Sequence, residues 1–394
     1  MPRGLQHILN LDDFEAAARR HLPAPIFAYV SGGVERNHSV RANLRAFEDY
    51  EFVTRVMVDT SKRSADTMLL GTRWSAPFGI APMGVSALSA YRGDLVLTEA
   101  AAQENIPMIM SSASLIRLEE VVQANPAAWF QVYLPATDPQ IAPLIERVKA
   151  AGFGVLVVTL DVAITANREN NVRAGYSSPL RPSARLAWQG LTHPRWLFGT
   201  FLRSIVQRGM PHFENSLASR GAPVLSANVT RHFAERAHLA WRHIRMVRDM
   251  WPGKLVVKGI LDVADARIAI EHGADGIIVS NHGGRQLDST VSPMRVLPGI
   301  VQACPEVPVM IDSGFRRGTD VLKALALGAK FVFVGRPFNY AASIGGEAGV
   351  RRGITLLRDE VVRNMGMLGV NSAAQLHPGM MLATTARENP TSQR

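Results

Sequence analysis

Cysteine is nearly absent from this sequence. One cysteine, Cys304, occurs in 394 residues, which excludes an internal disulfide framework and suits a reducing compartment. The first twenty residues, MPRGLQHILNLDDFEAAARR, mix acidic and basic side chains and lack the apolar core of a signal peptide. We therefore expect a cytoplasmic protein.

Long hydrophobic runs are also missing. The longest uncharged stretch lies between Arg73 and Arg92, and prolines, glycines and serines interrupt it. A membrane-spanning helix needs about 20 consecutive apolar residues, so we expect none. No GxGxxG motif follows an early strand, which makes a doubly wound open sheet the less favoured fold.

Apolar residues and positive charge are abundant. The hydrophobic share of 47% is enough for a sizeable core. The net charge is +10 and the isoelectric point is near 10.2, which raises nucleic acid or an anionic membrane as partners. No helix-turn-helix or single-strand-binding pattern accompanies the charge, so we expect no nucleic acid.

Short apolar strands alternate with helical patterns along most of the chain. Eight stretches are predicted as strands: Pro77–Gly84, Pro107–Ser112, Trp129–Leu134, Val155–Asp161, Lys254–Gly259, Gly276–Asn281, Pro308–Gly314 and Lys330–Arg336. Eight alternating units favour an α/β fold, the TIM (β/α)8 barrel. We predict a single domain with an N-terminal helical extension (1–76), a barrel (77–364) and a C-terminal tail (365–394).

A long insertion, residues 162–236, follows the fourth predicted strand. It holds ten arginines against three glutamates, and so +7 of the net charge. Aromatic residues are interspersed among them, including Trp188, Trp196, Phe198 and Phe201. Basic and aromatic residues together favour contact with an anionic membrane surface, the aromatics lying at headgroup depth. The alternative is a loop that folds over the active site or packs on another subunit.

Polar residues and glycines follow the predicted strands. In barrel enzymes the active site lies at these C-terminal strand ends. Buried polar groups are costly without a ligand or a network to satisfy them. After the last two strands, Gly314, Arg316, Gly335 and Arg336 suit a phosphate, because backbone N–H groups and arginine both bind phosphate oxygens. A phosphate and a flat heteroaromatic ring together suggest FMN, although other phosphate-bearing ligands also fit.

The stretch Ser280–Asp288, SNHGGRQLD, turns abruptly polar after the sixth strand. Gly283 and Gly284 allow a bend that a side chain would obstruct. On that bend His282 can move a proton near neutral pH, and Arg285 can clamp a carboxylate. We therefore predict proton or hydride chemistry on a small acid, whereas a lone histidine would indicate only a surface turn.

SNHGGRQLD strongly resembles the active-site segment of the FMN-dependent 2-hydroxy-acid dehydrogenases and oxidases. That family includes L-lactate dehydrogenases, glycolate oxidases and (S)-mandelate dehydrogenases. The stretches TLDVAITANRE, THPRW, RGMP and DSGFRRGTD are most similar to the mandelate dehydrogenases. The resemblance covers nearly the whole chain.

The resemblance implies FMN as the cofactor, no metal, and a role for each matched residue. The flavin contacts would be Ala81, Pro82, Met83, Ser111, Gln131, Thr159, Lys258 and Ser280. The ribityl-phosphate would contact Asp312, Gly314, Arg316, Gly335 and Arg336. The substrate would lie among Tyr29, Tyr133, Arg168 and Arg285. His282 would be the base, and Asp161 would orient it and stabilise its protonated form.

The implied reaction is oxidation of an (S)-2-hydroxy acid of the lactate or mandelate type to the 2-oxo acid. A membrane quinone or cytochrome would take the electrons, and the protein would lie peripherally on the inner face of the cell membrane. The alternatives are an oxidase that uses oxygen, another FMN-barrel enzyme, or a non-catalytic phosphate-ligand binder. A homo-oligomer is expected from the family alone.

Overall fold

The computed structural model describes residues 3–226 and 236–384, and within these ranges eight parallel strands form one closed sheet. Neighbouring strands follow one another along the chain, the last strand pairs with the first, and a bridge between Ile80 and Met108 completes the cylinder. The predicted TIM barrel is confirmed, and only Ile260 lies outside a predicted strand. The strands are β1 (Phe78–Ile80), β2 (Ile109–Ser111), β3 (Trp129–Val132), β4 (Val155–Thr159), β5 (Lys254–Ile260), β6 (Gly276–Val279), β7 (Val309–Ile311) and β8 (Phe331–Val334).

The strands are buried on both faces, which explains their nearly continuous apolar sequences. Side chains that alternate along each strand divide between two cores. Val157 and Ile278, for example, point into the barrel interior, whereas Val158 and Ile277 pack under the surrounding helices. Leu69 and Trp74 join the interior cluster from a hairpin of strands Thr67–Leu69 and Thr72–Trp74. A packed interior leaves room for a ligand only at the barrel's end.

A helix follows each strand and covers the barrel. The eight helices are Gly93–Gln103, Leu118–Ala124, Asp138–Ala151, Trp241–Met250, Val263–Glu271, Pro293–Ala303, Gly318–Ala326 and Arg336–Leu368. The last combines two helices across a kink at Gly346. Asp262 caps the helix Val263–Glu271, and its carboxylate accepts a hydrogen bond from the Ala264 N–H.

The N-terminal extension contains helices and strands. Its helices are Leu11–His21, Ala24–Ser31 and His38–Arg45, and short 3-10 turns span Arg3–Leu5 and Ala46–Asp49. Its strand Tyr50–Phe52 pairs antiparallel with Met381–Ala383, after further 3-10 turns at Ala373–Gln375 and Pro378–Met380. The helical extension was predicted, whereas its pairing with the C-terminal tail was not. The two ends of the chain form a common sheet, which needs pairing between distant segments that local patterns do not reveal.

The insertion after β4 forms a series of short helices. They are Glu169–Ala174, Ala184–Leu191, Pro194–Trp196, a π-helical stretch Leu197–Leu202, and Arg203–Arg208. Residues 227–235 of the insertion lie outside the described ranges. Another short helix, Ser86–Ser89, follows β1 beneath this insertion. Among the helices of the described ranges, none combines the length and apolar character needed to cross a bilayer.

Two of the four aromatics predicted at headgroup depth are not available to a membrane. Trp196 is only 4% exposed, and its indole N–H donates to the Leu88 carbonyl over 2.7 Å. Phe201 is half-buried and stacks on Trp196. Trp188 and Phe198 are 64% and 66% exposed, as predicted. The short insertion helices are amphipathic, and composition alone did not show which aromatics face the barrel.

Candidate active site

A cavity of about 450 Å³ opens at the C-terminal ends of the barrel strands. Residues predicted for the cofactor and for the substrate line it together, at the positions Tyr29, Ala81, Pro82, Met83, Tyr133, Thr159, Arg168, Lys258, His282, Arg285, Asp312, Gly314, Arg316, Gly335 and Arg336. The other four predicted residues, Ser111, Gln131, Asp161 and Ser280, do not line the cavity. They are buried or half-buried, and each of them hydrogen-bonds a residue of the site.

His282 is held on three sides. Its Nδ1 lies 2.8 Å from Asp161 Oδ1, its Nε2 lies 3.3 Å from the Tyr133 hydroxyl, and its backbone N–H donates to Ser280 Oγ. An Nδ1–H that donates to Asp161 leaves the Nε2 lone pair directed into the cavity. Burial lowers the pKa of His282, and the Asp161 carboxylate opposes but does not cancel this effect. His282 is therefore neutral at pH 7 and able to accept a proton at Nε2.

Asp161 remains ionised beside His282. Burial raises the pKa of Asp161, but His282 and Lys258 outweigh that effect, and the pKa stays below its ordinary value. Its Oδ1 accepts from His282, whereas Oδ2 is buried and has no hydrogen-bond partner within the described ranges. A carboxylate in this position fixes the tautomer of the imidazole and stabilises an imidazolium.

The bend after β6 requires glycine where the sequence predicted it. Gly283 and Gly284 have φ angles of 65° and 72°, which favour glycine. A Cβ on Gly284 would lie 2.7 Å from the backbone nitrogen of Val40. The bend is thus pressed against the N-terminal extension. Asp288 fastens the same contact, because its carboxylate accepts N–H groups of residues 36, 38 and 39.

Arg168 and Arg285 are two of the arginines that line the cavity. Arg168 donates from Nε to the Arg285 carbonyl and from NH2 to Gln286 Oε1. Arg285 donates from NH1 to the carbonyls of Tyr29 and Gly32, over 2.6 and 2.9 Å. Neither forms an ion pair with a carboxylate in the described part of the chain. Burial and then Arg168 lower the pKa of Arg285 to about 9, so an anionic ligand would relieve an accumulation of positive charge.

Aromatic rings form another wall of the cavity. Tyr29 stacks on Tyr176 at a centroid distance of 4.5 Å, and the Arg285 guanidinium lies 4.9 Å from the Tyr29 ring centre. A Cβ on Gly84 would come within 3.0 Å of the Tyr29 hydroxyl, so the absence of a side chain there keeps this wall open. The hydroxyl of Tyr29 thereby shares the cavity with the two arginines and His282.

Polar groups of β2 to β7 lie at the inner end of the cavity. Lys258 is buried and donates to Ser280 Oγ over 2.7 Å, and its Nζ lies 3.0 Å from Asp312 Oδ2. Gln131 accepts from Ser111 through Oε1. Gln131 Nε2 and Thr159 Oγ1 are buried and have no hydrogen-bond partner within residues 3–226 and 236–384. Unsatisfied donors at neighbouring strand ends indicate a bound polar ligand.

Glycines and arginines follow β7 and β8. Gly314 has a φ of 96°, and a Cβ there would lie 2.9 Å from the Asn43 carbonyl oxygen. The Arg316 guanidinium lies in the cavity wall, 3.7 Å from Asp12. The Arg336 side chain donates to the carbonyls of Val30, Gly32 and Gly283, each over 3.0 Å. Arg336 thus ties the N-terminal extension to the bend after β6.

Comparison with known proteins identifies the family. A model described as FMN-dependent dehydrogenase matches residues 18–383. The chain is 36% identical to the (S)-mandelate dehydrogenase of Pseudomonas putida, over 95% of this chain and 93% of that protein. It is 38% identical to an L-lactate dehydrogenase of Ectopseudomonas mendocina, over 94% and 97% of the respective chains. The structure of a monotopic membrane protein, (S)-mandelate dehydrogenase, matches with a TM-score of 0.87 at 34% identity, over 96% and 100% of the chains.

The chain belongs to the FMN-dependent dehydrogenase family. It is an FMN-dependent 2-hydroxy-acid dehydrogenase, an oxidoreductase that acts on a CH–OH group. The cavity fits FMN on its own chemistry, because Gln131 Nε2 and Thr159 Oγ1 are donors without partners. Polar atoms at the edge of an isoalloxazine ring would satisfy such donors, and the glycines and arginines after β7 and β8 suit its phosphate.

The site of this dehydrogenase includes residues that the sequence did not identify. Gln286 donates to the Asp161 carbonyl and accepts from Arg168, so it connects the Asp161–His282 pair to Arg168. Its place directly after Arg285 in SNHGGRQLD was the available signal. Tyr176, Phe213 and Asn339 also line the cavity, but no motif marks them. Tyr176 and Phe213 belong to the insertion, for which a loop folded over the active site was the alternative interpretation.

Proposed function

We propose that this dehydrogenase oxidises an (S)-2-hydroxy acid of the lactate or mandelate type to the 2-oxo acid. The observation that carries the proposal is a neutral histidine base facing the same cavity as two guanidinium groups without a carboxylate partner. An acid with its hydroxyl on the adjacent carbon satisfies both features. Relatives named (S)-mandelate and L-lactate dehydrogenase support this substrate class.

Arg168, Arg285 and Tyr29 bind the substrate carboxylate in this proposal. The NH1 nitrogen of Arg285 donates to backbone carbonyls, so the N–H groups on its other two nitrogens are available to the ligand. Anchoring the carboxylate fixes the position of the substrate Cα relative to His282, which lowers the entropic part of the barrier.

His282 accepts one proton from the substrate at Nε2. The proton comes from Cα or from the hydroxyl, and in either case the imidazolium that forms donates from Nδ1 to Asp161. The Tyr133 hydroxyl lies 3.3 Å from His282 Nε2. Burial raises the pKa of Tyr133, so this hydroxyl stays a neutral donor. Tyr133 thereby hydrogen-bonds the substrate oxygen in the same region.

FMN supplies the acceptor for the two electrons that leave the substrate carbon. Ala81, Pro82, Met83, Ser111, Gln131, Thr159, Lys258 and Ser280 are the proposed contacts of its ring. The proposed contacts of its ribityl-phosphate are Asp312, Gly314, Arg316, Gly335 and Arg336. Lys258 holds a positive charge beside Ser280 and Asp312, where it offsets negative charge that develops in the site.

A membrane quinone or cytochrome is the proposed electron acceptor, and the protein is proposed to lie peripherally on the inner face of the cell membrane. Exposed apolar side chains of the basic insertion support this, namely Trp188, Leu191, Phe198 and Val206. A structural relative is named a monotopic membrane protein, which is consistent with the same mode of attachment.

Anaerobic mixing of the purified protein with 2-hydroxy acids tests the reaction. We expect (S)-lactate or (S)-mandelate, but not the (R) enantiomers, to bleach the visible absorbance of the bound flavin, and the 2-oxo acid to accumulate in equal amount. A panel that adds glycolate and long-chain 2-hydroxy acids identifies the side chain. Failure of every 2-hydroxy acid to bleach the flavin would refute the proposal.

An oxidase that uses oxygen is the second candidate. A structure of mandelate oxidase with (S)-mandelic acid matches this chain with a TM-score of 0.79 at 31% identity, over 96% of this chain and 99% of that one. Oxygen consumption that matches 2-oxo acid formation, with no gain from an added dye or quinone, would establish the oxidase. Turnover that depends on the added acceptor would establish the dehydrogenase.

A further inference from the structure

Asp138, His238 and His243 form a cluster of ligating side chains outside the substrate cavity. Asp138 begins the helix after β3, and His243 lies 105 residues further along the chain, just after the insertion. Asp138 Oδ1 lies 3.1 Å from His243 Nε2 and 3.6 Å from His238 Nε2. All three ligand atoms lie within 4.8 Å of one another.

The two separations between the Asp138 carboxylate and the imidazoles are close to the edge length of a metal coordination polyhedron. Zinc ligands lie at about 2.0–2.1 Å from the ion in a tetrahedron, which places them roughly 3.4 Å from each other. Two imidazoles and one carboxylate suit zinc and its neighbours in the first transition row. Calcium and magnesium prefer oxygen ligands throughout, so this set disfavours them.

The surroundings of His243 also suit a metal ligand. Its side chain is only 1% exposed, which limits its rotation. The Ala240 N–H donates to its Nδ1 over 2.9 Å, and the Ala240 carbonyl oxygen lies 3.0 Å from the same nitrogen. In the other tautomer Nδ1–H donates to that carbonyl, and the Nε2 lone pair then points toward Asp138. A backbone carbonyl on the far nitrogen is the usual support of a metal-bound histidine.

We propose that Asp138, His238 and His243 bind a divalent cation of the zinc class. Three protein ligands leave the fourth position open to water. The cation joins the segment that follows the insertion, which carries His238 and His243, to Asp138 at the end of the loop after β3. Arg236, two residues before His238, already contacts that loop, since its Nε donates to the Leu134 carbonyl over 2.7 Å. It also lies 5.6 Å from the ring centre of Tyr133, so the fastened segment borders the substrate cavity.

Arg242 is the positive charge that opposes the cation. Its NH2 lies 3.7 Å from Asp138 Oδ2, and its side chain is 65% exposed. An exposed pair of this kind contributes a modest energy. Removing the charge in Arg242→Gln should therefore tighten zinc binding by about two- to fivefold.

Direct binding of zinc to tag-free, FMN-loaded protein tests the site. Competition with a chromophoric chelator should give one zinc per chain for the unaltered protein, and magnesium should not compete. His238→Gln changes a half-exposed residue, so the protein should fold and retain FMN while its zinc affinity falls at least about 100-fold. His377→Gln, at an exposed histidine outside the cluster, is the matched control.

Amide exchange gives a second measurement that does not depend on activity. Zinc should slow exchange in residues 236–243 and 134–140 of the unaltered protein and of His377→Gln, but not of His238→Gln. Equal zinc affinity for the unaltered protein and His238→Gln would overturn the proposal. A chain that binds no zinc at all, or that binds magnesium equally well, would overturn it too.

Discussion

The backbone of His282 shows how a single residue is adapted to its role. Its φ of 57° lies in the left-handed region, which is uncommon for a residue with a side chain and costs about 1–3 kcal/mol. The strained conformation is maintained by two hydrogen bonds. Ser280 Oγ accepts one from the His282 backbone N–H, and Asp161 Oδ1 accepts one from the His282 Nδ1–H. The glycines after His282 indicated a bend, but no local pattern marked His282 itself as the strained residue.

Substitution of the proposed base tests its role without disturbing the cofactor. His282→Gln should retain FMN, because the proposed flavin contacts come from other residues. Turnover should fall at least about 10²-fold, since no general base remains at Nε2. Steady-state rates with a soluble dye and the flavin absorbance of the purified variant provide the measurement. Near-normal turnover would remove His282 from the mechanism.

The pH dependence of the reaction tests the Asp161–His282 pair. Burial lowers the pKa of His282, and Asp161 raises it in part, so Asp161→Asn should lower this pKa further. The acidic limb of the kcat/KM profile reports protonation of the free base and should move to lower pH. The plateau should also fall, at least about tenfold, because the imidazolium loses its counter-ion. A limb that stays in place or moves to higher pH would contradict the pairing.

Arg285→Lys tests the carboxylate clamp. The Arg285 NH1 donates to the carbonyls of Tyr29 and Gly32, and the side chain lines the cavity. Lysine keeps the charge but cannot reproduce this fork. We expect KM for the hydroxy acid to rise about 10- to 100-fold, as for loss of a charged hydrogen bond, and flavin reduction to slow. Unchanged KM and unchanged flavin reduction in Arg285→Lys would mean that Arg285 does not bind the substrate carboxylate.

At the scale of elements, the barrel was predictable and the insertion was not. Each strand is a short apolar run buried on both faces, and that pattern appears directly in the sequence. The orientation of a short amphipathic helix depends on what it packs against. The buried Trp196 donates its indole N–H to the Leu88 carbonyl in the short helix Ser86–Ser89. Local sequence does not reveal this partner. Asp138 and His243 meet for a similar reason, across 105 residues.

The insertion helices give a revised membrane prediction. Trp188 and Leu191 lie three residues apart on one helix face and are exposed, as are Phe198 and Val206. Replacing these four with serine should abolish co-sedimentation with anionic liposomes, because their apolar area no longer inserts into the headgroup region. FMN content and activity with a soluble dye should remain. Trp196→Ser is the contrasting variant, and it should instead lose about 3–5 kcal/mol of unfolding free energy. Binding that survives the fourfold replacement would show that another surface contacts the membrane.

At the scale of the whole molecule, positive charge and catalysis share one face. The net charge is +10, the insertion carries much of it, and that insertion begins directly after Asp161, two residues beyond the end of β4. The substrate is an anion and the proposed acceptor lies in an anionic bilayer, so one charge distribution attracts both. Ionic strength should weaken both attractions, since the charges are exposed and a Debye length is about 10 Å at 0.1 M salt.

Vesicles that contain a quinone test this arrangement in a single assay. At low salt we expect quinone reduction to be at least about tenfold faster with anionic vesicles than with neutral ones, because each basic residue near the surface contributes roughly 1 kcal/mol. Added salt should remove most of the difference, whereas the rate with a soluble dye at saturating substrate should change little. The fourfold serine variant should reduce quinone slowly in both kinds of vesicle. Equal quinone reduction in neutral and anionic vesicles, at every salt concentration, would mean that the charged face plays no part in delivering electrons to the membrane.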